Sequence, residues 1–214
     1  MRYNRFHKDN NFLTPTTYTQ ELSEYTVNLK YEDIPAEVIE RAKMIMLQTI
    51  GVTLAARSTP ISEKVREMSR EANGGLGGPT TVWGTGEKLA PVNAALALGT
   101  MSDSLDWEDC SWTGHPSAGI IPCAWLASEE KHKSGKDLLT AIVAGYEVYQ
   151  RIAMAVQPSD LRWKTKGWGL TSWQIFGCII PIAKLYGFDA RKVNQAIGVG
   201  CESSTLPTAY HATT

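Results

Sequence analysis

The sequence has almost no net charge, no long apolar run and no secretory signal, and each absence excludes a class of protein. The 214 residues carry a formal net charge of -1, so the chain lacks the basic footprint of a nucleic-acid-binding protein. Its longest apolar run, Phe176 to Ala183, is far too short to span a bilayer. The N-terminus is basic but contains no apolar core segment. We therefore expect a cytoplasmic protein that binds neither nucleic acid nor membrane.

Two common motifs are also missing. No two of the four cysteines form a CxxC pair, so we interpret all four as reduced thiols, consistent with the cytoplasm. Gly74 to Pro79 reads GGLGGP, which has the glycines of a phosphate-binding loop, but no Gly-Lys-Ser/Thr follows it. Gly84 and Gly86 lack the third glycine of a dinucleotide fingerprint. These glycines are better explained as turns.

Helical periodicity covers most of the chain, and it predicts an all-α, multi-helix, bundle-like domain. We expect a single domain over residues 17–214, preceded by an N-terminal extension over residues 1–16. Seven or eight helices are predicted, with one short extended segment at Thr80 to Trp83. The predicted helices are Glu21 to Leu29, Pro35 to Arg57, Ile61 to Ala72, Val92 to Leu105, Ala118 to Lys131, Lys136 to Val156, Thr171 to Tyr186 and one that follows Asp189 and ends at about Glu202. Ser134 and Asp137 predict a capping box before the sixth of these helices, and Asp189 predicts an N-cap for the last.

The stretch from Gly99 to Gly119 is the part of the chain that looks built for chemistry. Four carboxylates precede a single histidine, His115, which is followed at once by Pro116 and Ser117, and two tryptophans lie between these groups. The carboxylates are Asp103, Asp106, Glu108 and Asp109. Aromatic rings beside carboxylates raise the cost of ionisation and move pKa values toward neutrality. Because Pro116 bars the preceding residue from the helical region, we expect His115 in an extended or turn conformation beside a helix that begins near Ser117.

Other interpretations of these residues stay open. Asp103, Asp106, Asp109 and His115 could bind a divalent metal, but the second histidine or fixed carboxylate spacing of common metal motifs is missing, and we assign no metal. A loop with basic and aromatic residues could stack nucleobases, although a solvated loop explains it better. Its residues are Arg162, Trp163, Lys164, Lys166 and Trp168. The same cations could instead bind a small polycarboxylate.

An ordered set of segments carries a family resemblance from about Leu22 to Ser204. The segments, in order, are DIPAEVIERAK, LQTIGVTLAA, GTMSDSLDWED with HPSAGIIP, SGKDLLTAIVAGYEVYQRI, GWGLTSWQIFG and KLYGFDARKVNQAIGVG. The chain resembles the N-terminal helical part of the MmgE/PrpD family, which includes methylcitrate dehydratases, cis-aconitate decarboxylases and iminodisuccinate epimerases. The resemblance implies a helical domain, an inserted lid domain, homodimers, and lyase or isomerase chemistry on small di- and tricarboxylates without a cofactor.

The resemblance also implies site residues. Asp106 matches the first acid of the family's Leu-Asp-aromatic-acid-Asp motif, His115 its His-Pro-Ser histidine, and Lys166 a lysine before a Gly-aromatic-His motif. We assign acid/base catalysis to His115, orientation of His115 or of a substrate hydroxyl to Asp106, and substrate binding to Lys166, Ser117 and Cys110. Three positions depart from the family pattern: Gln48 and Cys110 replace a common Asp and Thr, and Gly169 replaces a common His.

Because the chain is much shorter than the family members it resembles, we expect the lid and the last helical segment to be absent from it. It could be a fragment, half of a split enzyme or an inactive remnant. The preferred function is a dehydratase or decarboxylase of citrate-like or aconitate-like acids. A non-catalytic helical protein that binds a partner chain or a carboxylate is the first alternative, and an epimerase of dicarboxylates is the second. We expect a homodimer or a complementary C-terminal half chain as partner, and exposed apolar surface near the C-terminal helices.

Overall fold

The computed structural model describes residues 16–111, 114–156 and 172–204. Within these ranges the chain forms eight α-helices and a single two-stranded sheet, so the predicted all-α fold is confirmed. The helices are α1 (Tyr18–Asn28), α2 (Ala36–Ala56), α3 (Pro60–Ala72), α4 (Pro91–Asp103), α5 (Ser117–Glu130), α6 (Gly135–Val156), α7 (Gln174–Leu185) and α8 (Ala190–Ser203), with a 3-10 helix at Tyr31–Asp33 and strands β1 (Thr80–Thr81) and β2 (Lys88–Leu89).

Side-chain caps set the beginnings of several helices. The Ser134 hydroxyl accepts a hydrogen bond from the Asp137 N–H (3.2 Å), and the Asp137 carboxylate accepts one from the Ser134 N–H (3.0 Å). The predicted capping box before α6 is therefore confirmed. Asp189 accepts from the Lys192 N–H (2.7 Å) and begins α8, also as predicted. α1 begins three residues earlier than predicted, because Thr17 forms a capping box with a residue of the first turn.

The extended segment is shorter than predicted and pairs with β2. Thr80 and Thr81 form an antiparallel ladder with Leu89 and Lys88. Thr81 also donates its N–H to the Glu129 carboxylate at the end of α5 (2.9 Å), which joins the sheet to the helices. Gly78 lies so close to the second strand that a Cβ there would come within 2.0 Å of the Leu89 carbonyl carbon. The backbone of this turn therefore has no room for a side chain.

The core lies where α5, α6 and α7 meet. Glycines permit the close approach: a Cβ at Gly177 would lie 2.9 Å from Ile120, and one at Gly145 would lie 3.1 Å from the Gly177 carbonyl oxygen. Large side chains from all three helices are fully buried around this contact; they include Ile120, Ile121, Ile142, Val148, Tyr149 and Ile180. Such dense packing gives the segments joined to these helices a rigid base.

Exposed apolar side chains are most numerous on α2, and among the described residues α3 and α4 each carry two more. Met44, Leu47 and Leu54 share one face of α2, and Val92 and Leu96 are exposed on α4. We had expected such surface near the C-terminal helices, where the described residues show less of it. None of the described helices combines the length and the apolar composition that crossing a membrane requires.

Candidate functional site

The loop between α4 and α5 begins with a sharp reversal at Asp106. The Asp106 N–H donates to the Asp103 carbonyl (3.2 Å) just after α4 ends. Asp106 has a φ of 54°, in the left-handed region that Asp tolerates better than most residues. Its side chain is 83% exposed and therefore lies on the open side of the loop.

A tight turn then directs the chain toward His115. Ser111 and Gly114 form an isolated antiparallel bridge with two reciprocal backbone hydrogen bonds of 2.9 Å. Gly114 has a φ of 123°, which only glycine adopts readily. Gln150 of α6 donates to the Ser111 hydroxyl (3.2 Å), so the turn is held against the core.

Asp109 fixes the beginning of α5. One of its carboxylate oxygens accepts a hydrogen bond from the N–H of Ser117 (2.9 Å), which is the first residue of the helix. The other accepts from the Tyr146 hydroxyl on α6 (2.9 Å). Burial, together with the Asp109 charge and this hydrogen bond, raises the pKa of Tyr146, so the phenol remains a donor. The carboxylate thereby satisfies a free helix N–H and ties the loop to α6.

Gln174 of α7 holds the backbone on the other side of the histidine. Its amide nitrogen lies 3.2 Å from the carbonyl oxygens of both His115 and Pro116 and donates to them. Gly119 leaves room for this contact, since a Cβ there would lie 2.6 Å from the same nitrogen. His115 precedes α5 in a non-helical conformation, as Pro116 predicted.

The imidazole of His115 lies between two carboxylates. Nδ1 is 3.0 Å from Oε1 of Glu108, and Nε2 is 3.5 Å from Oδ1 of Asp106. The two acids differ in environment, because the Glu108 side chain is fully buried whereas that of Asp106 is exposed. The His115 side chain is 29% exposed. The ring therefore has one face toward the protein interior and one nitrogen toward the open side.

The pKa of the Glu108 carboxyl lies above its usual range. Burial raises its pKa, and the neighbouring Asp103 carboxylate raises it further, while its own backbone N–H and His115 act in the opposite direction. The 3.0 Å distance from Glu108 Oε1 to His115 Nδ1 fits a hydrogen bond, but the angles do not. Neither oxygen of the Glu108 carboxylate nor Nδ1 of His115 forms a hydrogen bond of good geometry with another described residue. The expected shift toward neutrality is thus present, and its main cause is burial.

The same three side chains could hold a divalent cation. Asp106, Glu108 and His115 each offer one ligand atom, and these atoms lie within 4.8 Å of one another. This set differs from the one considered from sequence, because Asp109 is turned toward Ser117 and Tyr146 instead. A pairing of each imidazole nitrogen with one carboxylate accounts for the same geometry without a metal.

The sequence-predicted site residues are only partly brought together. Asp106 and His115 are in contact. Ser117 is buried at the start of α5, where its hydroxyl has no directed partner among the described residues. Cys110 is exposed on the loop. Lys166, like Gly169, lies outside the described residues.

The sequence alone does not identify three residues that support the site: Glu108, which is the buried partner of His115, Gln174 and Tyr146. Glu108 belongs to the acidic run, but nothing in the run distinguishes a buried acid from its exposed neighbours. Gln174 and Tyr146 contact the loop from α7 and α6, and no local sequence pattern predicts such contacts. The Gln48 amide donates to the Trp107 carbonyl (3.0 Å) and so supports the loop from α2.

A cavity of about 420 Å³ lies elsewhere, between the end of α1 and the beginning of α6. Four lysines contribute to its lining: Lys30, Lys133, Lys136 and Lys184. None of its lining residues belongs to the His115 loop. We regard the loop, rather than this cavity, as the candidate site, because the loop brings together the buried acid and the imidazole.

Comparison with known proteins matches residues 20–214 to the MmgE/PrpD N-terminal domain. The cis-aconitate decarboxylase of Aspergillus terreus is 30% identical over 195 residues, which cover 86% of this chain and 38% of that protein. The cis-aconitate decarboxylases of Mus musculus and Homo sapiens are each 26% identical over 193 residues, covering 86% of this chain and 38% and 39% of those proteins. The chain thus spans well under half the length of these curated relatives.

Proposed function

The chain belongs to the MmgE/PrpD family, and from this premise we propose that it supplies the proton-transfer site of a lyase that decarboxylates a small polycarboxylate such as cis-aconitate. The names of its relatives support this choice of reaction. The observation that carries the proposal is the imidazole of His115, which is backed by a buried carboxylate and has a partly exposed side chain. Histidine is the side chain whose unperturbed pKa suits proton exchange near neutral pH.

Decarboxylation gives this imidazole a defined task. The C–C bond to the departing carboxylate breaks, CO2 leaves, and the electron pair of that bond remains on the substrate as an enolate-like carbanion. A proton must then be delivered to carbon. In the proposed reaction, Nε2 of the protonated His115 gives up that proton, and the imidazole ends neutral. A dehydration would use the same nitrogen in the reverse sense: neutral Nε2 takes a proton from carbon, the C–O bond breaks as the C=C bond forms, and the departing hydroxide takes that proton and leaves as water.

The remaining site residues bind and orient the substrate. Asp106, exposed beside Nε2, is suited to accept a hydrogen bond from a substrate hydroxyl or a protonated carboxyl group. We assign a substrate carboxylate to Lys166, a hydrogen bond to the Ser117 hydroxyl, and a contact at the open side of the loop to Cys110. Cys110 is exposed next to the acidic run, which suits that contact.

A second candidate is a binding role without catalysis. The exposed apolar side chains of α2 favour it, because Leu47 and Met44 lie on a helix whose Gln48 contacts the loop. Such a surface commonly marks a protein contact. In this alternative the chain would pair with another polypeptide and its His115 would only join two chain segments.

The decisive experiment assays the chain alone and together with the C-terminal part of a family member. A panel of di- and tricarboxylates is followed by CO2 release and by the ultraviolet absorbance of the conjugated double bond. We expect His115→Gln to lower turnover by roughly two to four powers of ten with the fold intact. His132→Gln, at an exposed histidine of another turn, is the matched control.

Two results would count against the proposal. A folded two-part complex that consumed no member of the panel would favour the binding role. Alternatively, His115→Gln could lower the melting temperature and reduce activity only in proportion to the folded fraction. That outcome would remove His115 from the chemistry.

A further inference from the structure

We infer that Glu108 is the positioning residue of His115: its buried carboxylate holds Nδ1 and leaves Nε2 as the nitrogen that exchanges protons. The assignment of the exchanged proton to a substrate rests on the proposed function, whereas the pairing rests on geometry alone. Asp106, which the sequence suggested for this orienting task, is then free to contact the substrate.

The distances and the burial favour Glu108 over Asp106. The Glu108 oxygen is 3.0 Å from Nδ1, whereas the Asp106 oxygen is 3.5 Å from Nε2, beyond the usual range of an N–H···O hydrogen bond. The Glu108 side chain has no exposure to water, so its interaction with the ring is weakly screened. The Asp106 side chain is largely in solvent, where an ion pair contributes little.

The hydrogen-bonding needs of Glu108 point the same way. Both of its oxygens are buried and lack a directed partner among the described residues. A buried carboxylate left in this condition is costly, because it has lost its hydration without replacement. Nδ1 of His115 is the donor within reach, and it also lacks a directed partner. A small rotation of the ring that points Nδ1–H at Oε1 satisfies both groups.

The charges around the pair explain why His115 is the partner. The other groups near the Glu108 carboxylate are its own backbone N–H and a second acid, Asp103, and Asp106 faces the opposite side of the ring. Among the described residues, no Lys or Arg side chain forms an ion pair within 4.0 Å of these acids. The imidazole is therefore the cationic or N–H-donating side chain that lies next to the buried acid in the described part of the chain.

This arrangement sets the tautomer of the neutral ring. When one imidazole nitrogen donates to a carboxylate, the other carries the lone pair. With Nδ1–H directed at ionised Glu108, Nε2 is unprotonated and available to take a proton from the open side. When the ring is protonated, Nε2–H is the proton that leaves, because Nδ1–H is retained by the buried acid.

Nitrogen-15 NMR of the histidine side chains tests this directly in the full chain. At a pH where His115 is neutral, we expect the wild-type ring to be mainly Nδ1–H. Glu108→Leu removes the acceptor and shifts the ring toward the Nε2–H tautomer. Glu108→Gln keeps an acceptor oxygen and is expected to keep the Nδ1–H tautomer. Asp106→Asn, the matched control on the other side of the ring, leaves the tautomer unchanged.

The kinetic readout separates positioning from simple support of the fold. In the assembled enzyme, Glu108→Gln should lower kcat by tenfold or more with little change in KM, whereas Asp106→Asn should chiefly raise KM. A wild-type ring that is mainly Nε2–H overturns the inference, even if Glu108→Leu does not fold. So does a folded Glu108→Leu variant with an unchanged tautomer. A correct tautomer without any turnover would instead refute only the proposed function.

Discussion

Replacing Tyr146 with Phe removes a single hydroxyl group from the support of the His115 loop. That hydroxyl donates to Asp109 (2.9 Å), and the same carboxylate accepts from the Ser117 N–H at the start of α5 (2.9 Å). The ring of Tyr146 remains in place in the variant, so the packing of α6 is retained. The substitution therefore isolates the link between the loop and α6.

The expected cost follows from the type of bond. A hydrogen bond to a charged acceptor contributes about 1.5–3 kcal/mol to folding. We therefore expect Tyr146→Phe to lower the free energy of unfolding by about 2 kcal/mol, or the melting temperature by roughly 4–8 °C for a chain of this size. Asp109→Ala also removes the cap of α5, which adds about 1 kcal/mol. The double variant should cost no more than Asp109→Ala alone.

Urea unfolding followed by circular dichroism measures all four corners of this double-mutant cycle. Tyr18→Phe, at a tyrosine that is exposed to solvent, is the control and should change stability by less than about 0.5 kcal/mol. The coupling energy between Asp109 and Tyr146 should be about 2 kcal/mol. A coupling energy below about 0.5 kcal/mol would show that the two groups do not act together, and the account of how α5 is held would be wrong.

Three further outcomes follow from other contacts. Gly119→Ala places its Cβ 2.6 Å from the Gln174 amide nitrogen and 2.7 Å from Sγ of Cys178. The amide is the movable end of a side chain but the thiol of the short Cys178 side chain is not, so we expect a cost of about 1–3 kcal/mol, measured by urea unfolding, and a lower turnover because the histidine backbone is disturbed. Burial raises the pKa of Tyr25 to about 12, so the stability that its neutral phenol contributes is complete below pH 10 and should be lost between pH 10 and 12. Unfolding curves of Tyr25→Phe should therefore show a smaller decline of the free energy of unfolding over that window. Lys184→Met removes two hydrogen bonds from the Lys184 ammonium group to carbonyl groups near the end of α1. It should lower the free energy of unfolding by about 1–3 kcal/mol in the same urea assay, and an unchanged free energy would contradict this account.

The fold was predictable from sequence because its determinants are local. Helical periodicity, the Ser134 and Asp189 caps and the glycine turns act within a few residues of one another, and the helix bounds agree within a few positions. The beginning of α1 was misplaced because Thr17 and its partner in the first turn form a cap that the apolar pattern does not show. The conformation of His115 was predictable for the same local reason, the proline that follows it.

The interior of the site was not predictable to the same degree. From the sequence we expect the aromatic rings of this stretch to raise the cost of ionising the carboxylates, but Trp107 is 67% exposed, and the burial of Glu108 comes from the tertiary fold. Glu108 and Asp106 are two residues apart and alike in chemistry, yet one is buried and the other is in solvent. Which of the two acids is buried depends on the left-handed turn at Asp106 and on contacts from helices distant in sequence. No local sequence pattern predicts that turn or those contacts.

The loop divides into a fixed backbone and adjustable side chains, and this division bears on how the site could be redesigned. Gln48 of α2 and Gln174 of α7 donate to its main-chain carbonyl groups, and Tyr146 of α6 holds it through the Asp109 carboxylate. Asp106 and Cys110, in contrast, present exposed side chains from that held backbone. Libraries that vary Cys110 freely, and Asp106 among the residues that tolerate its positive φ, can therefore explore new ligand shapes and charges while the scaffold stays constant. Variation at the three supporting positions would instead disturb the geometry that any new activity needs.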